Sequence, residues 1–120
     1  MIPVVLDDLS HGHDWAVKWG PFYKGKISDR KLVREILNHH GIQNLIRFAA
    51  FIEVKESLEN PYRYYQNNFC GALELFRTAL EEGVENIIFS STAAVYGQPN
   101  SELISEDHPT QPVNPYGRSK

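Results

Sequence analysis

The sequence predicts an α/β fold in which helices cover both faces of a parallel sheet, that is, a doubly wound sheet. Two observations support this prediction. Short, continuous apolar runs alternate along the chain with segments of helical spacing, and small or polar residues follow the runs. Because ligands bind beyond the carboxyl ends of parallel strands, the residues that follow the runs are expected to share one site.

The predicted strands are short. The first covers residues 2–6 and ends before Asp7, and a second, weaker candidate covers residues 22–27. Residues 45–50 form the next apolar run, and residues 86–90 form the last, with hydroxyl side chains at its end. Each run is too short for a helix and is bounded by turn or cap residues, which is typical of buried strands.

The helices are predicted from their caps. Asp29 begins a helix that runs to about residue 40 and ends at Gly41. Pro61 suits the first turn of a long helix that ends at Gly83. Pro115 ends a proline-rich loop over residues 98–115, so the helix that carries Tyr116 is expected to begin there.

The composition excludes several classes of function. With 120 residues, 42% of them hydrophobic and 22% charged, the chain suits one small domain or part of a larger one. Its net charge of −3 disfavours binding to nucleic acid or to an anionic membrane, and no apolar run is long enough to span a bilayer. Cys70 is the one cysteine, which excludes an intrachain disulfide, favours a cytoplasmic setting and suggests a small core residue. The histidines lack further ligands at metal-site spacing, so no metal is expected.

Tyr116 and Lys120 carry the chemistry that the sequence suggests most strongly. Four residues apart in a helix, they lie on one face, and a fixed cation beside a phenol favours the phenolate. Hydroxyls at Ser90, Ser91 and Thr92 would stand at a nearby strand end. Together these groups suggest proton and hydride transfer at an alcohol or sugar carbon, although the Tyr-x-x-x-Lys spacing alone also occurs on ordinary helix surfaces.

Three separated segments, residues 89–97, 106–109 and 114–120, resemble the extended short-chain dehydrogenase/reductases that act on nucleotide sugars, most of all the UDP-sugar 4-epimerases. The resemblance implies a Rossmann-like fold in which residues 1–120 form part of the NAD-binding domain. It also implies that the first strand, its Gly-rich turn and the substrate domain lie outside this sequence, so that the chain is an internal fragment.

The resemblance assigns roles by position. Asp7 matches the carboxylate that binds the adenosine ribose, which favours NAD over NADP because it would repel a 2′-phosphate. Thr92 matches the hydroxyl that bridges substrate and the acid/base Tyr116, and Lys120 the group that binds the nicotinamide ribose and lowers the phenol pKa. The other implied cofactor contacts are Phe48, Ala49, Ala50, Asn67, Ser90 and Ser91.

The implied reaction interconverts UDP-glucose and UDP-galactose. Tyr116 takes the C4 hydroxyl proton, NAD takes the C4 hydride, the 4-keto sugar turns over, and the hydride returns to its other face. Ala93 and Ala94 replace the Asp-Glu pair of related 4,6-dehydratases, which disfavours dehydration. Lys26 and Arg47 depart from the family pattern, where an aspartate and a histidine are usual.

Two alternatives remain open. Substrate choice in the family depends largely on regions outside this sequence, so a sister nucleotide-sugar epimerase or decarboxylase fits the same residues. A degenerate, non-catalytic module that binds a partner through the helix from Pro61 also fits, since that helix carries many apolar side chains. In the family this helix joins the Tyr-Lys helix in a dimer interface, so the resemblance also implies a homodimer.

Overall fold

The computed structural model describes residues 2–99 and 103–120. Strands and helices alternate in the first part of the chain, in the order β1 Val5–Asp7, β2 Phe22–Lys24, α1 Arg30–His40 and β3 Asn44–Arg47. They are followed by α2 Val54–Glu59, α3 Pro61–Tyr64, a π-helical segment Tyr65–Cys70, α4 Gly71–Glu81, β4 Asn86–Phe89 and α5 Pro115–Ser119. Residues 100–102 of the predicted loop lie outside the described residues.

The strands pair in parallel as two separate ladders. β1 pairs with β2, and β3 pairs with β4. In a doubly wound sheet with strand order 3-2-1-4-5, β1 and β2 take the places of strands 2 and 3, and β3 and β4 take those of strands 4 and 5. Strand 1 of such a sheet lies between the two pairs. The fold is therefore Rossmann-like and incomplete, as predicted.

The strands are shorter and less buried than predicted. β1 begins at Val5, because Ile2 is exposed and the first ladder bond runs from the Val5 amide to the Pro21 carbonyl. β2 ends at residue 24, and β3 ends at Arg47, so residues 48–50 form a loop beyond the strand. In this incomplete sheet one face of the β3–β4 ladder is uncovered, since Ile46 and Ile88 are 56% and 60% exposed.

Helix α1 begins and ends as its caps predict. The Asp29 carboxylate accepts a hydrogen bond from the Leu32 amide, and Gly41 takes the left-handed conformation, with φ of 57°, that ends the helix. The buried face of α1 packs on α4 and forms the main core. Its members are apolar and buried: Val33, Leu37, Leu75, Ala79 and Val84.

The long helix predicted from Pro61 is interrupted by the π-helical segment. It ends at Glu81, two residues before Gly83, which has φ of 79°. Cys70 lies at the end of the π segment and is exposed, so its prediction as a core residue is wrong. Helix α2 was not predicted, because it is short and its first turn lacks a side-chain cap. None of the described helices has the length and apolarity needed to cross a membrane.

Candidate active site

A cavity of about 230 Å³ opens at the carboxyl ends of β1, β2 and β3. Five of the residues that the sequence singled out line it: Asp7, Phe48, Ala49, Ala50 and Asn67. Lys26, the residue that departs from the family pattern, also lines the cavity. The strand ends and the π segment thus bring residues that are up to 60 positions apart in the sequence to one cavity.

Asp7 forms the acidic wall of this cavity. Its Oδ1 accepts a hydrogen bond of 2.7 Å from the Leu9 amide, which holds the carboxylate at the end of β1. Leu9 has φ of 59°, an uncommon conformation for a residue other than glycine, so the loop after β1 turns sharply. Gly12 faces the same carboxylate, and a Cβ atom there would lie 3.4 Å from Oδ1. The absence of a side chain at Gly12 keeps the space beside the carboxylate open.

The loop after β3 forms another part of the cavity wall. Phe48 is 73% exposed, and Ala49 and Ala50 are half-buried with methyl side chains. Asn67 reaches this wall from the π segment, where its amide donates to Asn68 Oδ1 at 3.0 Å. A π segment widens a helix locally, and such segments are frequent at functional sites.

Asn68 is the residue that sequence reasoning missed. Its side chain is 1% exposed, and it uses its full hydrogen-bonding capacity. Oδ1 accepts from the Phe51 amide and from Asn67, while Nδ2 donates to the Phe51 carbonyl and to Ser119 Oγ. Asn68 therefore ties the loop after β3 to helix α5. The only sequence signal was an Asn-Asn pair in a helix, where asparagine is unfavourable without a structural reason.

The hydroxyl groups after β4 lie beside the end of α5. The Ser90 amide donates to the Arg47 carbonyl, which continues the β3–β4 ladder by one residue. Ser91 Oγ lies 3.5 Å from the Lys120 carbonyl oxygen. Thr92 accepts a hydrogen bond of 3.2 Å from the Ala94 amide and so caps a short 3₁₀ turn at Ala93–Tyr96. Between the described residues, no side-chain hydrogen bond joins Thr92 to Tyr116.

Helix α5 begins as Pro115 predicts. The Asn114 side chain accepts a hydrogen bond of 2.7 Å from the Gly117 amide and caps the helix. Gly117 packs so closely on the 3₁₀ turn that a Cβ atom there would lie 2.6 Å from the Ala94 carbonyl oxygen. Only glycine permits this approach, which brings the start of α5 against the segment that carries Thr92.

The Tyr116 ring packs on Tyr64. The two rings meet edge to face, 6.4 Å apart between centroids. Tyr64 is fully buried, and its hydroxyl donates to Glu56 at 3.0 Å. Burial, together with the Glu56 carboxylate, raises the pKa of Tyr64 to about 12, so Tyr64 stays neutral and supports Tyr116 as a packing partner.

Lys120 and Arg47 both approach the Phe89 ring. Its Nζ is 5.5 Å from the centroid of the Phe89 ring, and the guanidinium carbon of Arg47 is 5.2 Å from the same centroid. Burial lowers the pKa of Lys120, and the positive charge of Arg47 lowers it further. Tyr116 thus lies within α5, and Lys120 follows the last residue of α5 as its C-cap, with its carbonyl oxygen 3.5 Å from Ser91 Oγ.

Metal chemistry has no candidate site in the described part of the chain, since residues 2–99 and 103–120 contain no group of three or more histidine, cysteine, aspartate or glutamate residues placed to hold an ion.

Comparison with known proteins shows which family the chain belongs to. The profile of GDP-mannose 4,6-dehydratase matches residues 7–120. The UDP-glucose 4-epimerase of Rhizobium meliloti is 48% identical over 118 residues, which cover 98% of this chain and 36% of that protein. The crystal structure of the Brucella ovis UDP-glucose 4-epimerase in complex with NAD is 42% identical, with a TM-score of 0.95, over 98% of this chain and 36% of that one.

The Campylobacter jejuni UDP-Glc/GlcNAc 4-epimerase is also similar, with 41% identity and a TM-score of 0.89 over 98% of this chain and 37% of that chain. The chain thus spans 36% of the length of the Rhizobium relative. Because the profile match extends over residues 7–120, the chain belongs to the GDP-mannose 4,6-dehydratase family, and its similarity to the UDP-glucose 4-epimerases extends over 98% of its length.

Proposed function

We propose that residues 1–120 are part of the NAD-binding domain of an enzyme that interconverts UDP-glucose and UDP-galactose by transient oxidation at C4. The observation that carries this proposal is the cavity at the strand ends, which gathers Asp7, the small residues after β3 and Asn67, with Tyr116 and Lys120 on the helix that follows β4. The similarity to UDP-glucose 4-epimerases over 98% of the chain supports it. The sugar-binding part belongs to the remaining length of such an enzyme.

The cavity suits the adenosine half of NAD. A carboxylate at the end of β1 accepts hydrogen bonds from ribose hydroxyls and repels a 2′-phosphate. The open space beside Gly12 and the methyl side chains of Ala49 and Ala50 leave room for a ribose and for close approach of the backbone. The residues that would hold this half of NAD are Asp7, Phe48, Ala49, Ala50 and Asn67.

The residues after β4 would hold the reacting end. With NAD bound, Ser90 and Ser91 would lie on the nicotinamide side, Lys120 would donate to the nicotinamide ribose, and Tyr116 would remove and return the C4 hydroxyl proton. Thr92 accepts and donates a proton between the sugar hydroxyl and Tyr116. When bound, NAD accepts the C4 hydride and gives it back to the same carbon, so it is not consumed.

Epimerisation fits this chain better than dehydration. Elimination of water across C5 and C6 needs further acid and base groups, whereas Ala93 and Ala94 follow Thr92 and carry only methyl groups. The family profile bears a dehydratase name, but the alanines favour simple oxidation and reduction at C4.

We also propose that the complete protein is a homodimer. The helix that runs from Pro61 to Glu81 exposes a row of large apolar side chains: Tyr62, Phe69, Leu73 and Leu80. We take these exposed apolar side chains as the surface that a second copy of the chain covers. Light scattering of the complete protein is expected to give twice the monomer mass, and a monomer would contradict the proposal.

The substrate assignment is tested by incubating the protein expressed from its complete reading frame with UDP-galactose and with UDP-N-acetylgalactosamine in separate reactions. We expect UDP-galactose to be converted to UDP-glucose. Conversion of UDP-N-acetylgalactosamine alone would indicate a sister epimerase, and no conversion of either sugar nucleotide would overturn the proposal.

A further inference from the structure

Lys26 is the one lysine or arginine among the described residues that line the cavity. It lies two positions after the end of β2, and it is exposed. No hydrogen bond or ion pair joins its side chain to another residue in the described part of the chain. The ammonium group therefore has its hydrogen-bonding capacity available for a molecule that enters the cavity.

The backbone that carries Lys26 runs directly beside the end of β1. The Gly25 amide donates to the Asp7 carbonyl at 3.0 Å, which continues the β1–β2 ladder by one residue. Leu6 and Ile27 line the same cavity and pack against the main core. The Asp7 carboxylate, two apolar side chains held by the core and the Lys26 side chain thus belong to one short stretch of the cavity wall.

The strand order determines which part of a dinucleotide meets this stretch. In a doubly wound sheet, the pyrophosphate binds at the turn after strand 1, which lies on the side of β1 that faces β3. β2 flanks β1 on the other side. A ribose held by Asp7 has its 5′-phosphate toward strand 1, so we expect its base to extend toward β2. The faces of a planar base suit the apolar side chains there, and its polar edge suits Lys26.

The other titratable side chains of this part of the cavity, Asp8 and His11, are engaged within the protein. Asp8 Oδ1 accepts a hydrogen bond of 2.9 Å from the Ser10 amide in its own loop. The His11 ring packs edge to face on Phe51, with 5.9 Å between the ring centroids. Lys26 is therefore the side chain that we expect to contact the edge of the base.

The chemistry of an ammonium group decides which edge it favours. A lysine side chain donates hydrogen bonds and accepts none. Adenine presents its N6 amino donor beside the N7 acceptor, whereas hypoxanthine, a 6-oxopurine, presents two neighbouring acceptors, O6 and N7. Lysine and arginine bind this same pair of acceptors on guanine. An aspartate, which is usual at this position in the family pattern, has the opposite preference, because it accepts from the N6 amino group.

We propose that Lys26 determines which base the dinucleotide site accepts: as a donor without acceptor capacity, it admits nicotinamide hypoxanthine dinucleotide at least as well as NAD. This proposal rests on the function proposed above for the presence of a dinucleotide in the cavity. It gives a specific role to a residue that departs from the family pattern.

The test measures the preference between these two dinucleotides, which carry the same charge at neutral pH. The complete protein, freed of cofactor, is equilibrated with equal concentrations of both, and the bound nucleotides are released and quantified by mass spectrometry. We expect wild type to hold at least as much of the hypoxanthine dinucleotide as of NAD. Lys26→Asp should lower the ratio of the hypoxanthine dinucleotide to NAD by about 5- to 10-fold, the low end of what base-edge recognition contributes.

Two further variants separate recognition of the base from general effects of charge and folding. Lys26→Arg keeps a cationic donor and should keep the wild-type ratio. Lys31→Asp makes the same change of charge at an exposed position of α1 and is the matched control. A weaker fold, or a weaker attraction to the pyrophosphate, lowers both affinities and leaves their ratio unchanged.

A wild-type preference for NAD, or a ratio that Lys26→Asp leaves unchanged, would overturn the proposal. An effect of Lys26→Asp on the ratio of NADP to NAD alone would also overturn it, since Lys26 would then act on the ribose. Binding of neither dinucleotide would overturn the proposed function as well. If the hypoxanthine dinucleotide binds as expected while neither UDP-sugar is converted, the proposed function fails and the inference about Lys26 stands.

Discussion

The cavity at the strand ends and the Tyr116 end of the site are built in different ways. The cavity is shaped by the ends of β1 and β3, by small side chains and by one carboxylate held by a neighbouring amide. The Tyr116 end depends on the one-turn helix α5, which is anchored by the Asn114 cap, by the close approach of Gly117 and by the bond from Asn68 to Ser119. Strand ends and the loops that follow them thus form most of the cavity, whereas the Tyr116 end is held by a helix cap, a close glycine contact and a side-chain bond to the π segment. Substitutions in the two regions should therefore have separable effects.

The largest expected effect comes from the Tyr116 end. Tyr116→Phe removes the proposed acid/base group and should reduce turnover of the complete enzyme by roughly 10²- to 10⁴-fold. NAD affinity should change little, because the ring and its packing on Tyr64 remain. Turnover and NAD binding by fluorescence titration check both parts. Tyr65→Phe, at an exposed tyrosine of the π segment, is the control, and an equal loss in the control would argue against a specific role for Tyr116.

The tie between the two regions can be broken at Asn68. Asn68→Leu leaves the Phe51 amide and carbonyl without their side-chain partner and removes the bond to Ser119, which should lower the free energy of unfolding by about 3 kcal/mol. Gln66→Leu alters an exposed position of the same π segment and should have little effect. Chemical denaturation of the complete protein measures both variants. If they were equally stable, Asn68 would not be the tie that we describe.

A substitution at Asp7 tests the role of the cavity in NAD binding alone. Asp7→Ala removes hydrogen bonds from a charged acceptor to the proposed ribose, so NAD affinity should fall by about 10- to 100-fold, with a smaller preference for NAD over NADP. Turnover at saturating NAD should change much less than in Tyr116→Phe. Asp14→Ala, in the exposed 3₁₀ turn after the β1 loop, is a suitable control. Unchanged NAD affinity in Asp7→Ala would remove Asp7 from the binding site.

The smallest expected effect comes from a substitution at Glu82, on the surface between α1 and α4 and away from both regions. Hydrogen bonds from Asn38 and Arg34 lower the pKa of Glu82 below its ordinary value of 4.5. Because the carboxylate pKa is lowered in the folded state, its contribution to stability is present above pH 4.5 and is lost as pH falls through the folded-state pKa.

Glu82→Gln should therefore flatten the fall in melting temperature below pH 4.5 without changing NAD affinity. Thermal melts of wild type and Glu82→Gln at a series of pH values from about 3 to about 7 measure this dependence. Identical pH profiles would show that the ion pairs contribute nothing measurable, as is common for exposed pairs.

Much of the fold could be predicted because its signals are local. Asp29, Gly41 and Pro115 act within one turn of their own positions, and each begins or ends a helix as expected. The exposure of Ile46 and Ile88 could not be predicted, because an apolar run does not reveal which neighbouring strand or helix covers it. For the same reason, the sequence indicated Tyr116 and Lys120 but not Asn68 or the burial of Arg47, which depend on contacts between residues 21 to 51 positions apart.

The central claim is that this chain is part of an enzyme that carries out a reversible hydride transfer at a single sugar carbon. The most direct test is conversion of UDP-galactose deuterated at C4 by the complete enzyme in ordinary water, with the product examined by NMR. We predict UDP-glucose that retains deuterium at C4, because the hydride returns to the carbon that it left. Product with hydrogen from water at C4 would contradict this account.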